Sequence, residues 1–154
     1  YKGYHSDAAR THAVGEVSEE AKKLIQVTKE CFFEGIKYAK AGNHLFDISG
    51  AIGRYAEERG YGVVRDLCGH GIGTALHEAP EIPNYEVGRK GVKLRPGMTL
   101  AIEPMINIGT YEVDWLDDDW TVVTRDGSLS AHYENTILIT EGEPRILSLT
   151  CDNE

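Results

Sequence analysis

The chain has 154 residues, of which 41% are hydrophobic, which predicts one folded unit over residues 1–154 with a core of ordinary size. Its 16 Lys and Arg against 25 Asp and Glu leave a net charge of −9 with no polybasic run, which argues against nucleic acid as a partner. No apolar stretch nears the roughly 18 residues that span a bilayer, and Cys31, Cys68 and Cys151 show no CxxC spacing, so a membrane span, a zinc finger and a disulfide framework are disfavoured and a reducing cytoplasm is expected.

Polar and apolar residues alternate from Tyr4 to about Val14, which predicts a strand carrying Asp7, and "YKG" before it reads as a turn. Ser18 is a good N-cap, Glu19 and Glu20 suit the positive end of a helix, and Gly42 is a good stop. Between them Leu24, Ile25, Thr28, Cys31, Phe32, Ile36 and Tyr38 or Ala39 recur at helical spacing. Asp47 is expected to cap a second helix with Ile48, Ile52, Tyr55 and Ala56 on one face and Gly60 at its end. The β-rich segments "GVVRDL", "MTLAIEPMINIG", "WTVVTRDGSLSAHYENTILIT" and "PRILSL" follow, with "RDGSL" read as a hairpin turn between two strands and "APEIPNY" as a loop. The expected class is α+β, two helices covering one face of a mainly antiparallel sheet.

The stretch "LCGHGIGTALHEAP" is the densest chemical signal. Glycines on both sides of His70 remove side-chain bulk, so that a metal or substrate could approach the backbone; the histidine is either such a ligand or a satisfied polar residue in a turn. His77 is weaker alone, and its spacing from His70 is not HExxH. Glu78 reads as a solvated charge or a loop anchor in preference to a catalytic acid. Glu103 interrupts an apolar strand, where a carboxylate needs a salt bridge, hydrogen bonds or a metal. Glu134 repeats that pattern, on the same face of its strand as His132 and Thr136 and opposite Tyr133 and Asn135. A set of Asp7, His70, Glu103 and Glu134 would suit Mn²⁺, Fe²⁺, Co²⁺ or Zn²⁺, and the chemistry that follows is hydrolytic. No GxSxG elbow and no GxxxxGK[ST] loop is present to support serine or phosphoryl-transfer chemistry.

"GYHSDAART", "CGHGIGTALHEAPEIPNY", "LRPGMTLAIEPM" and "DDDWTVVTRDGSLSAHYENTILIT" together resemble the successive signatures of the bacterial-type (type I) methionine aminopeptidases, enzymes of the pita-bread fold. The resemblance implies removal of N-terminal methionine from nascent chains by a hydroxide held on divalent metal. It implies that Asp7 and Glu134 bridge two ions, that His70 and Glu103 complete the first position, and that Glu103 also handles protons. By the same resemblance His77 contacts the scissile amide, Trp120 walls the methionine pocket, Leu76 stands where the family often has Phe, and Cys68 before Gly69 is the bacterial pattern and no nucleophile.

The resemblance covers the C-terminal portion of that family. The partner aspartate of Asp7 and the first half of the pseudo-symmetric fold have no counterpart, so the expectations are one tightly held ion, reduced or absent activity, and pairing as a homodimer or with a complementing N-terminal half. A pita-bread enzyme cleaving Xaa-Pro bonds and a non-catalytic metal-binding or interaction module are the alternatives.

Overall fold

The computed structural model describes residues 1–149, so Cys151 lies outside the described residues. Element order is β1 (Ala8–Arg10), α1 (Glu19–Ile36), α2 (Leu45–Glu57), β2 (Gly62–Val63), β3 (Gly69–Gly71), β4 (Glu78–Ile82), β5 (Thr99–Ile102), β6 (Met105–Asn107), β7 (Val113–Trp115), β8 (Val122–Thr124), β9 (Ser130–Leu138) and β10 (Arg145–Ile146). Every strand pairing among the described residues is antiparallel, as expected.

The nine-residue β9 organises the sheet. β5 and β6 pair with successive parts of it, β1 and β10 with its other edge, and β3 then β4 extend the sheet beyond β5. The run "MTLAIEPMINIG" is therefore two strands. Pro104 lacks the N–H that a continuous ladder would need, and the break falls at Glu103 and Pro104.

Helix α1 begins as expected, with Ser18 Oγ accepting from Ala21 N at 3.1 Å. It stops at Ile36, short of Gly42, because the chain must turn there: Gly42 takes a φ of +95° and donates its N–H to Leu94 O, tying the turn to residues 92–94. Ala39 is buried beyond the helix end while Tyr38 points outward. Helix α2 starts two residues before Asp47, with His44 at the N-cap; Asp47 acts from inside the first turn, its Oδ2 accepting from His44 N at 2.8 Å. Leu24, Phe32, Ile48 and Ile52 pack against Leu100, Ile102, Tyr133 and Ile137, the residues on one face of β5 and β9. Phe32 and Phe33 both meet the Tyr133 ring, at centroid distances of 5.4 and 6.0 Å.

Three other expectations change. The first strand begins at Ala8, since residues 1–4 form a turn and the chain reaches its partner β9 only at Asp7. "RDGSL" does turn, with Gly127 at φ +72°, but the strands on either side do not pair: β8 belongs with β7 in a separate two-stranded ribbon and β9 turns to β6. "APEIPNY" is half strand. Residues through Ile82 form β4, and Pro80 is tolerated because β4 lies at the end of the sheet.

The glycines around His70 serve the backbone of the sheet. A Cβ on Gly69 would lie 2.4 Å from Ala101 O, and one on Gly71 would lie 2.3 Å from Ala79 O, so the close neighbour there is another strand, in place of the metal or substrate that the sequence suggests. Gly71→Ala is expected to cost about 2–3 kcal/mol, measured as a lowered urea midpoint, because neither contact atom sits on a flexible side chain.

Candidate metal centre

The face of the sheet opposite the helices collects the titratable side chains. Ile102 pairs with Asn135 and Met105 with His132, so the same register sets Glu103 opposite Glu134 across the break at Pro104. One step along, Ala101 pairs with both His70 and Thr136, and Thr136 is joined to Asp7 by Asp7 N donating to its Oγ1 (2.9 Å) and Thr136 N donating to Asp7 O (3.1 Å). Residues two apart on a strand share a face, so His132, Glu134 and Thr136 project together, as the alternation of the sequence implies.

His70 Nε2 lies 3.4 Å from Glu103 Oε1 and 3.9 Å from Asp7 Oδ2, and His132 Nε2 lies 3.7 Å from Glu103 Oε2. These separations exceed those of hydrogen bonds, yet they match roughly the 3–4 Å between two donor atoms bound to one ion at about 2.0–2.2 Å. Two overlapping sets of donors follow, Asp7, His70 and Glu134, and Glu103, His132 and Glu134, each with its ligand atoms within 4.8 Å of one another. The His70 ring is held in an orientation that suits ligation, because its Nδ1 meets Gly71 O at 2.9 Å and Nε2 is left for the site. Asn84, buried in the segment after β4, donates through Nδ2 to Glu103 O at 3.1 Å and holds the broken strand in place.

The electrostatics ask for a cation. Burial first, then the nearby Glu134 and Asp7, push Glu103 up to about 8; burial and Asp7 push Glu134 up to about 7 against the pull of Arg10. Among the described residues Glu134 Oε1 is buried without any hydrogen-bond partner, as is His132 Nε2. Carboxylates crowded and desolvated in this way are costly when ionised, and a divalent ion removes that cost. The residues present therefore fit a bound metal. Burial holds the His132 ring below the usual histidine range. Cys68 is pushed up mainly by burial, which keeps its thiol protonated and unsuited to attack or ligation.

A cleft of about 640 Å³ opens over this face, lined by Asp7, Cys68, His70, His77, Glu103, Trp120, His132 and Glu134 among others. The His77 ring stands 4.4 Å from that of His70 at 68°, next to the first set of donors. Trp120 is 86% exposed at the tip of the β7–β8 ribbon, where Asp118 Oδ1 accepts from both Trp120 N and Thr121 N. Leu76 does not join the others: it is 38% exposed on the turn that Glu78 ties together by accepting from Ala75 N at 2.8 Å. Glu78 is thus a loop anchor, as its sequence context suggests. Reasoning from sequence leaves His132 and Asn84 without a site role, although the shared face of His132 and Glu134 is an available signal for the first.

The sequence pattern of metallopeptidase family M24 matches residues 1–141. A protein named methionine aminopeptidase from Clostridium acetobutylicum is 60% identical over 147 residues, covering 96% of this chain and 59% of the relative. The crystal structure of methionine aminopeptidase from Thermotoga maritima superposes with a TM-score of 0.94 at 49% identity, over 97% of this chain and 60% of that one. A prolidase from Pyrococcus furiosus gives 0.74 at 28% identity, over 97% and 39%. The chain thus spans about three-fifths of the length of its methionine aminopeptidase relatives, and its architecture is part of the pita-bread fold. With a family pattern that runs from the first residue through β9, the chain belongs to metallopeptidase family M24.

Proposed function

We propose that this chain carries the metal-binding face of a methionine aminopeptidase, acting on the N-termini of nascent peptides in a reducing cytoplasm, with Asp7, His70, Glu103 and Glu134 holding one ion tightly. The observation that carries the reading is the row in which Asp7 and His70 flank Thr136 and Ala101 while Glu103 faces Glu134. A bound Mn²⁺, Fe²⁺, Co²⁺ or Zn²⁺ would acidify water and polarise the scissile carbonyl. Glu103 takes a proton at a carboxylate oxygen and returns it to the departing amine. His77 donates a hydrogen bond to the carbonyl oxygen as it gains charge. Trp120, with Trp115 and Val122 on the same ribbon, offers the apolar wall a methionine side chain needs.

The test uses the chain loaded with Mn²⁺ or Co²⁺, alone and co-expressed with the N-terminal part of the Clostridium acetobutylicum relative. Met-Ala-Ser should be cleaved by the complemented species and little by the chain alone, and His77→Ala should lower kcat roughly 10²–10³-fold, the loss typical of one donor to a developing oxyanion. The greater likeness to methionine aminopeptidases than to the prolidase favours this substrate. Preference for Xaa-Pro peptides would favour the prolidase-type reading, and cleavage of neither by the complemented species would favour a binding module.

A further inference from the structure

We propose that Asp119 is a specificity-determining residue that gives the cleft a preference for peptides carrying lysine or arginine shortly after the scissile bond. The proposal rests on reading the cleft as a methionine aminopeptidase site and adds a substrate class to that reading.

Asp119 shares the cleft lining with Trp115 and Trp120 at the tip of the β7–β8 ribbon. Its neighbour Asp118 is taken up by the turn itself, accepting from Trp120 N, Thr121 N and Thr121 Oγ1. Among the described residues Asp119 gives the turn only its backbone N–H, donated to Leu116 O at 3.1 Å, and its carboxylate has no ion-pair partner. Trp115 and Trp120 are 48% and 86% exposed, so two indoles and a free carboxylate stand together where a cationic side chain can reach them. The ring faces attract the charge and cover the aliphatic stem, and the carboxylate pairs with the head.

Position decides which part of a peptide meets this group. His70 and Glu134 are buried on the sheet beneath the cleft, whereas Asp119 and Trp120 are exposed at its rim. An aminopeptidase takes its substrate end first, so the segment that crosses the rim is the one that follows the scissile bond. No lysine or arginine lines the cleft, and its other acidic groups, Asp7, Glu103 and Glu134, are those a divalent ion would offset. Asp119 is then the acidic group that a passing side chain encounters, and a basic one is favoured over an acidic one. The backbone supplies a clean control. Asp119 takes a φ of +57°, a conformation that glycine adopts freely, so Asp119→Gly removes the carboxylate and keeps the turn.

Two measurements test the proposal. The first uses the chain loaded with Co²⁺ and complemented by the N-terminal part of the Clostridium acetobutylicum relative. At low salt, kcat/KM for the better of Met-Ala-Lys-Ala and Met-Ala-Ala-Lys should exceed that of its glutamine counterpart about 3–10-fold, the size expected of one exposed ion pair with an aromatic contribution. The ratio should shrink at about 0.5 M NaCl, and Asp119→Asn and Asp119→Gly should bring it near one. The second needs no turnover. Both tryptophans of the 154-residue chain line this cleft, so their fluorescence reports binding of the same peptides to the Zn²⁺-loaded chain alone, where the same preference in Kd should be lost in both variants. A lysine-to-glutamine ratio near one in the unsubstituted protein by both measurements, or a preference that survives in Asp119→Asn and Asp119→Gly, would overturn the proposal. Should the complemented species cleave neither peptide while the fluorescence preference persists and depends on Asp119, the methionine aminopeptidase reading falls and the role of Asp119 in binding stands.

Discussion

Glu134→Gln is expected to weaken binding of the tighter ion by at least ~100-fold, while raising the melting temperature of the metal-free protein by roughly 2–4 °C. The two effects come from one cause. Glu134 is almost completely buried on the central strand, with Asp7 and Glu103 nearby, and its Oε1 has no hydrogen-bond partner among the described residues. In the absence of metal its ionised form is a burden on the fold; with metal present it is the residue common to both sets of donors. Glutamine keeps the shape, removes the charge and offers only a neutral carbonyl oxygen. A merely structural glutamate would lose stability on this change and leave the metal affinity alone, so calorimetric titration and a thermal melt of the same variant separate the two roles. An unchanged Co²⁺ affinity would defeat the assignment of Glu134 as a ligand.

The legibility of this molecule in its sequence differs by level. The helical faces are legible because Leu24, Phe32, Ile48 and Ile52 recur at a helical period that burial then enforces. The helix ends are less so. Gly42 has the conformation of a stop, but its partner is Leu94, far along the chain, and only the folded protein brings the two together. The candidate ligands stand out because carboxylates in apolar strands have few innocent explanations, and the alternation in "SAHYENT" already puts His132 beside Glu134. What cannot be read is register. That Glu103 faces Glu134 depends on two strands pairing with one side of β9 in the same frame on either side of Pro104, a long-range property that no local pattern encodes. The glycines around His70 mislead for a related reason: their neighbours are Ala79 and Ala101, contributed by strands whose pairing local sequence does not reveal.

The metal-free protein is expected to lose stability as pH rises from about 5 to 8, and divalent metal should reverse that slope. The folded chain holds Glu103 at about 8 and Glu134 at about 7, both above the ordinary 4.5, so between 4.5 and these values it binds more protons than the unfolded chain. Stability then falls as pH increases through that window. His132 opposes this in the lower part, since its ring is held below 6.5 in the fold and takes up a proton more readily on unfolding. Two carboxylates outweigh one imidazole, so the net slope is downward. Below about 4 the sign changes again, because Asp126 is held down at about 2 by hydrogen bonds from Ser128 and Thr110, and that contribution is lost as the pH falls toward 2. A bound ion needs the carboxylates ionised and the imidazoles neutral, so its affinity climbs over the same range in which the metal-free fold weakens. At pH 8, metal at a thousand times its Kd contributes about 4 kcal/mol, or roughly 10–15 °C in melting temperature for a chain of this size. Melts with excess Mn²⁺ and with chelator, taken at pH 5 and pH 8, should therefore diverge as pH rises, and parallel curves would show that these carboxylates do not meet at a cation.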